Sequence, residues 1–182
     1  MSGTGQRSLW HRRAAEVAVI VGLAVLGGSW SDVALLTTVL PGWPSMQPNT
    51  ALAFILAAAA LWCVREAPPQ DARTRLRQFG IFCALLAGLI GALTLAEHLG
   101  HLDFGIDGLL HRYPAQPGET GQPGRMALTT AAGFTLLGSA LMMLHLGRQF
   151  ALAQGFLAII AAFFVLLLLS NLYQLGERGI RT

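Results

Sequence analysis

The residues best suited to chemistry lie in one short polar segment that follows a long apolar run. It combines carboxylates with imidazoles at Glu97, His98, His101, Asp103, Asp107 and His111. If the preceding helix continues through this segment, Glu97 and His101 share a face at i,i+4, and His98 and His101 share one at i,i+3. Imidazoles and carboxylates at this spacing could bind zinc or copper, and the histidines could ligate a haem.

This cluster is neither an HExxH motif nor a closed set of Cys and His, so three interpretations stay open. It could be a helix end whose polar groups face water or lipid headgroups. It could hold a metal or haem, with His98 and His101 as candidate ligands, or it could sense pH or a small ligand. Glu97 is expected just inside a membrane boundary, where an ionisable group needs a partner, and His98 and Arg125 are the candidates.

The elements that must position the cluster are built from a repeat. Met46–Phe54 returns as Met126–Phe134, 80 residues further along, and each copy opens a long apolar run. Fixed-period self-similarity indicates a repeated unit, here a helical hairpin. Asn and Thr side chains can cap helix starts, and Thr and Phe four residues apart share a helix face. The face is either duplicated packing or a surface that receives a ligand or lipid headgroup, formed by Asn49, Thr50, Phe54, Thr129, Thr130 and Phe134.

Composition places these hairpins in a membrane. Apolar residues make up 54% of the chain and charged residues 12%. About 20 apolar residues cross the ~30 Å hydrocarbon core as a helix. We therefore predict an all-α, polytopic transmembrane helical bundle of about five spans built from repeated hairpins. The spans are expected at about 14–30, 50–64, 78–96, 126–146 and 151–172, within a sensor-like domain covering 14–182.

The arginines set the expected orientation. All 12 basic residues are arginine, and eight of them fall on one side of the five-span arrangement. By the positive-inside rule the basic flank 1–13 is cytoplasmic, and the first span is an uncleaved anchor. The outer loops are then 31–45 and 98–125, in a multi-pass protein of the bacterial inner membrane. Arginines at helix ends do not indicate a nucleic-acid partner.

Two further features concern packing. Small residues recur every four positions on the third span, which favours close helix contact, either as a seam inside the bundle or at a dimer interface. They are Gly80, Ala84, Gly88, Ala92 and Ala96. Cys63 and Cys83 lack a CxxC or metal-ligand pattern and are expected to be buried thiols.

Enzyme signatures are missing from the sequence. It has no Walker A loop, no Rossmann glycine pattern, no GxSxG elbow and no kinase boxes. The longest polar stretch, 98–125, is too short for a soluble catalytic domain. The chain by itself is therefore not expected to be an enzyme.

Several motifs together resemble a known membrane region: Met46–Phe54, Leu93–Leu99, Phe104–Asp107, Pro123–Met126 and Thr130-Ala131. They are similar to the N-terminal multi-span sensor region of bacterial sensor histidine kinases and diguanylate cyclases, which often precedes PAS domains. The resemblance implies signal input, a possible homodimer, and a cytoplasmic output module in a full-length parent. Two departures are Leu128-Thr129 in place of Pro-Asn, and a chain end before the next returning helix, which predicts a fragment.

The leading functional hypothesis is a membrane-embedded input domain of a two-component or cyclic-dinucleotide signalling protein, without its output. One alternative is a haem- or metal-binding integral membrane protein that uses the outer histidines. Another is a small repeat-built transporter or accessory subunit, although the spans lack midplane charges and broken helices, and the repeats are parallel. The expected partners are the lipid bilayer, a second copy and an output module.

Overall fold

The computed structural model describes residues 3–31, 46–64, 70–106, 125–147, 151–163 and 165–166. Within these ranges every regular element is a helix, so the all-α class is confirmed for the described part of the chain. The helices are α1 Gly3–Trp30, α2 Pro48–Cys63, α3 Gln70–Gly100, α4 Leu128–Leu146 and α5 Ala151–Phe163.

Among the described residues, two helices are long and apolar enough to cross a membrane by length and composition. They are Ala72–Gly100, with 29 residues, and Leu128–Leu146, with 19 residues. The apolar segments Ala15–Ser29, Pro48–Cys63 and Ala151–Phe163 are shorter. A described helix thus lies at each of the predicted spans, while the arrangement of five membrane spans stays a prediction.

Helix α3 is longer than the span predicted at 78–96. It has 31 residues, from Gln70 to Gly100, and is therefore about 46 Å long. The segment before residue 78 is helical from Gln70 onward, and His98 belongs to the helix although the outer loop was predicted to begin there. The basic flank is also helical from Gly3. A run of apolar residues locates the apolar part of a helix but not its polar extensions.

The packing order follows the chain, with α1 against α2, α2 against α3 and α3 against α4, while α2 also contacts α4. The core between α2, α3 and α4 is formed mainly by alanines, together with Cys83, Met126, Phe134 and Leu141. Small side chains let the backbones approach closely, and this gives the bundle its dispersion contacts. Cys63 and Cys83 are both buried free thiols, as expected.

The stripe of small residues on α3 does not stay on the buried face of the helix. Gly80 and Ala84 are buried, Gly88 faces α4, Ala92 lines an open groove beside Gly88, and Ala96 is exposed. A step of four residues overshoots one helical turn by about 40°, so Ala96 is rotated by ~160° from Gly80. The buried seam instead alternates steps of four and three, through Gly80, Ala84, Ala87, Gly91 and Thr94.

The closest approach of α3 and α4 is between two glycines. A Cβ built on Gly138 would lie 2.5 Å from the Cα of Gly88 and 2.8 Å from the carbonyl oxygen of Ala84. A Cβ built on Gly88 would lie 3.4 Å from the Cα of Gly138, which is close to an ordinary contact. The requirement for glycine is therefore stronger on α4 than on α3.

The two copies of the repeat start their helices at the same repeat position. Helix α2 begins at Pro48 and α4 at Leu128, 80 residues apart as in the sequence repeat. The preceding residues are both extended, with φ −72° and ψ 147° at Gln47 and φ −59° and ψ 143° at Ala127. Pro48 occupies the first turn, where its missing N–H loses no hydrogen bond.

The expected capping by Asn49 and Thr129 is wrong. Neither helix has a side-chain cap hydrogen bond. Because the helices begin at residues 48 and 128, Asn49 and Thr129 already lie inside the first turn instead of preceding it. Asn49 uses its amide elsewhere, as described below.

Equivalent phenylalanines of the two copies meet. The rings of Phe54 and Phe134 are 5.0 Å apart between centroids and 88° between planes, an edge-to-face contact. Phe134 is buried, whereas Phe54 is 37% exposed. Of the threonines on the same faces, Thr50 is buried and Thr130 is partly buried.

Candidate outer site

The polar cluster is reorganised by the end of α3. The helix stops at Gly100, and His101 takes the left-handed conformation, with φ 50°. The condition for Glu97 and His101 to share a helix face was that the helix continues, and this condition is not met. His101 and Asp103 are exposed, and the Oδ1 atom of Asp103 accepts a hydrogen bond from the Gly105 N–H at 2.9 Å.

Glu97 is the centre of the site and is fully buried. Its Oε1 accepts a hydrogen bond of 2.8 Å from the Phe104 N–H. Its Oε2 lies 3.7 Å from Nη2 of Arg125, so Arg125 is the charged partner among the two candidates. The Arg125 side chain is only 13% exposed, and its Nη2 also donates to the carbonyl oxygen of Leu102 at 3.3 Å. A paired buried charge of this kind makes loss of one partner costly.

His98 is held by the chain immediately before α4. Its Nε2 lies 2.9 Å from the carbonyl oxygen of Met126, a residue that is itself fully buried. A carbonyl oxygen can only accept, so Nε2 carries the hydrogen and donates. The nitrogen most often used for a metal is thus occupied in a structural hydrogen bond.

Asn49 supplies the third attachment, from the first repeat. Its Nδ2 donates to the carbonyl oxygen of Ile106 at 3.2 Å, joining the start of α2 to the connector that follows α3. We call Asn49, Glu97, His98 and Arg125 the outer anchor, where outer and inner follow the orientation expected from the arginines. Three of these side chains bind the backbone of the connector segment 102–106, and the fourth, His98, fixes the residue next to Arg125. Asp107 and His111 lie outside the described residues.

Three buried polar atoms beside the anchor have no hydrogen-bond partner in the described part of the chain. They are Oε1 of Gln47, Oγ1 of Thr94 and Oε2 of Glu97. Buried polar atoms are normally satisfied by protein or water. Thr94 and Glu97 are three residues apart on one face of α3, and Oε2 of Glu97 has the Arg125 guanidinium as its ion-pair partner at 3.7 Å.

The geometry does not favour a metal or haem at His98 and His101. His98 points to Met126, while His101 lies on an exposed turn beyond the helix end. Within the described ranges, no three His, Cys, Asp or Glu residues are placed to hold a metal ion.

A second polar connection, at the opposite end of the bundle, was missed from the sequence. His145 is buried, and its Nε2 lies 2.9 Å from the carbonyl oxygen of Ala60. That oxygen lacks its helical donor, because the Val64 N–H bonds to Leu61 instead. His145 therefore satisfies the end of α2.

Arg77 completes this connection. Its Nε donates to the carbonyl oxygen of His145 at 2.7 Å, near the end of α4. We call Ala60, Arg77 and His145 the inner clasp. Gly80 makes room for it, since a Cβ at Gly80 would overlap the His145 ring. The sequence offered one signal for this contact, which is the glycine at position 80 of α3. It lies opposite the end of α4 that carries His145.

No protein-family model, curated protein or solved structure matches the chain.

Proposed function

We propose that the chain is a membrane-embedded sensory input region of a bacterial signalling protein that acts through a cytoplasmic output module. The observation that carries the proposal is the outer anchor. It ties the connector segment 102–106 to α2, to α3 and to the residues just before α4 by hydrogen bonds from buried or partly buried polar side chains.

The hydrogen bonds of the anchor couple the conformation of the connector to the packing of the helices. A ligand that prefers a different connector conformation must change the hydrogen bonds of Glu97, Asn49 and Arg125 together. Such a ligand shifts the equilibrium only by its difference in affinity for the two states. The inner clasp joins the far ends of the same three helices, so a displacement at the outer end is passed to the inner end by rigid helices.

The proposal places the bundle in the inner membrane with five spans and a cytoplasmic N-terminus. Large apolar side chains on the outside of α3 support this placement, because about half of each surface is exposed: Phe79, Phe82, Leu85 and Leu89. The inner end of the same helix carries Arg73, Arg75 and Arg77.

Cysteine labelling tests the placement. The chain has only two cysteines, so Cys63→Ala and Cys83→Ala give a background without thiols. In intact cells, a membrane-impermeant maleimide should label Leu99→Cys, which is exposed at the outer end of α3. It should label Thr74→Cys, also exposed, only after lysis. Labelling of both in intact cells, or of neither, would contradict the orientation.

The sensory role is tested in the native host with the intact gene product. Glu97→Gln removes the anchor's charge at constant size and should change the phosphorylation or cyclic-dinucleotide output of the protein. Glu16→Gln, on an exposed position of α1, makes the same charge change outside the anchor and should leave the output unaltered. A Glu97→Gln protein with normal abundance and wild-type output would refute the sensory role.

A further inference from the structure

A cavity of about 350 Å³ opens at the inner end of the bundle, where α2 and α4 end and α3 begins. Two arginines and several apolar side chains line it. The lining includes Arg73, Arg77, Val64, Leu76, Leu144 and Leu146. None of the lining residues in the described ranges is acidic.

The arginines form one basic face. Arg73 and Arg77 are four residues apart on α3 and so lie one above the other. The bond from Arg77 Nε to the carbonyl oxygen of His145 fixes that guanidinium at the wall of the cavity. A guanidinium has five N–H groups, so the four on the two Nη atoms lie beyond this bond.

The C-terminal ends of α2 and α4 account for only one of the two arginines in this cavity. Helix C-termini carry partial negative charge and attract cations. The bond from Arg77 to His145 satisfies a carbonyl at the end of α4. Arg73 is exposed one turn further out and adds a second positive charge to the same cavity.

We propose that this cavity binds the phosphate headgroup of an anionic phospholipid from the inner leaflet. Guanidinium groups bind phosphate oxygens through paired, charge-assisted hydrogen bonds. Val64 and Leu146 line the same cavity and are 42% and 41% exposed, which gives the glycerol and acyl parts of a lipid an apolar surface. Basic pockets between helices on the cytoplasmic side have the character of headgroup sites. The inference rests on the proposed membrane placement.

Native mass spectrometry of the full chain tests the proposal. The protein is released from nanodiscs made of phosphatidylcholine and phosphatidylglycerol in equal parts, and the retained lipids are counted. Arg73→Gln should weaken phosphatidylglycerol retention about tenfold, the effect of losing one charge-assisted contact. The matched control is Arg75→Gln, which removes the same charge from an exposed position on the same helix outside the cavity. It should retain the lipid as the wild type does.

Three outcomes would overturn the proposal. Equal losses in Arg73→Gln and Arg75→Gln would indicate unspecific surface attraction. Equal retention of phosphatidylcholine and phosphatidylglycerol would exclude recognition of the anionic headgroup. Inorganic phosphate that stabilises the wild type but not Arg73→Gln, with no preferential retention of phosphatidylglycerol by the wild type, would assign the cavity to free phosphate. Any of these with normal labelling of Leu99→Cys and Thr74→Cys leaves the membrane placement intact, so the two failures are distinguishable.

Discussion

Replacing Gly138 by alanine should separate α3 from α4. A Cβ at this position would meet three backbone atoms, at 2.5 Å from Gly88 Cα, 2.6 Å from Gly88 N and 2.8 Å from Ala84 O. Carbon atoms prefer about 3.5–4.0 Å, so the helices must move apart by about 1 Å. Backbone atoms cannot rotate out of the way as a side chain would.

The energetic cost follows from this displacement. A gap of 0.5–1 Å forfeits roughly a quarter to a half of the dispersion energy of the atoms that line it. Overpacking typically costs ~1–3 kcal/mol, and a backbone clash belongs at the upper end. The higher helix propensity of alanine returns about 1 kcal/mol. We therefore expect Gly138→Ala to lower the free energy of unfolding by about 2 kcal/mol, roughly a 30-fold change in the folded-to-unfolded ratio.

Gly88→Ala is the matched comparison, because it adds the same methyl group on the opposite side of the same contact. Its nearest neighbour would be Gly138 Cα at 3.4 Å, so the helices need to move by only a few tenths of an ångström. The expected change is between neutral and a gain of about 1 kcal/mol. Gly155→Ala on α5, with nothing within 4 Å, controls for propensity alone.

The assay is unfolding in mixed micelles with increasing dodecyl sulfate, followed by the circular dichroism of the helices. It gives the free energy of unfolding for the wild type and the three variants under the same conditions. If Gly138→Ala and Gly88→Ala differ by less than about 0.5 kcal/mol, the spread expected of ordinary surface substitutions, the asymmetric contact is refuted.

The same unfolding assay tests three other contacts. Arg125→Ala should lower the free energy of unfolding by about 3 kcal/mol because it leaves Glu97 buried and unpaired. Adding Glu97→Gln should recover most of that loss, and no recovery would contradict the ion pair. A double-mutant cycle of Phe54→Leu and Phe134→Leu should show a coupling of ~0.5–1.5 kcal/mol, and additivity would argue against the ring contact. His145→Leu should lower the free energy of unfolding by about 1–3 kcal/mol because it leaves the Ala60 carbonyl without a donor, whereas a loss below about 0.5 kcal/mol, the range of ordinary surface substitutions, would contradict the inner clasp.

Much of the helical framework could be predicted from the sequence. The apolar runs located five helices, and the duplicated Met motif located the starts of α2 and α4 to within two residues. The burial of Cys63 and Cys83 followed from the absence of any ligand pattern around them. These features depend on local composition and spacing, which a sequence displays directly.

The polar contacts depend on distant pairs and were harder to predict. The ionisable run from Glu97 to His101 has helical spacing, but the left-handed turn at His101 breaks it, and Gly100 was the only local signal. Asn49 had a plausible capping role beside it in sequence, yet its amide binds a carbonyl 57 residues away. His145 binds a carbonyl 85 residues away, which becomes free only because α2 tightens at its last turn.

The contact between Phe54 and Phe134 has a consequence for the history of the chain. In a dimer of two identical hairpins, a residue that touches its own copy sits near the twofold axis, and both copies have the same surroundings. When the two hairpins are joined in one polypeptide, the two copies need not have the same surroundings. Here Phe134 is buried, whereas Phe54 is 37% exposed. Selection can therefore act on the two codons separately. The size and shape of the side chain are constrained at Phe134, whereas hydrophobic character alone is sufficient on the exposed part of Phe54.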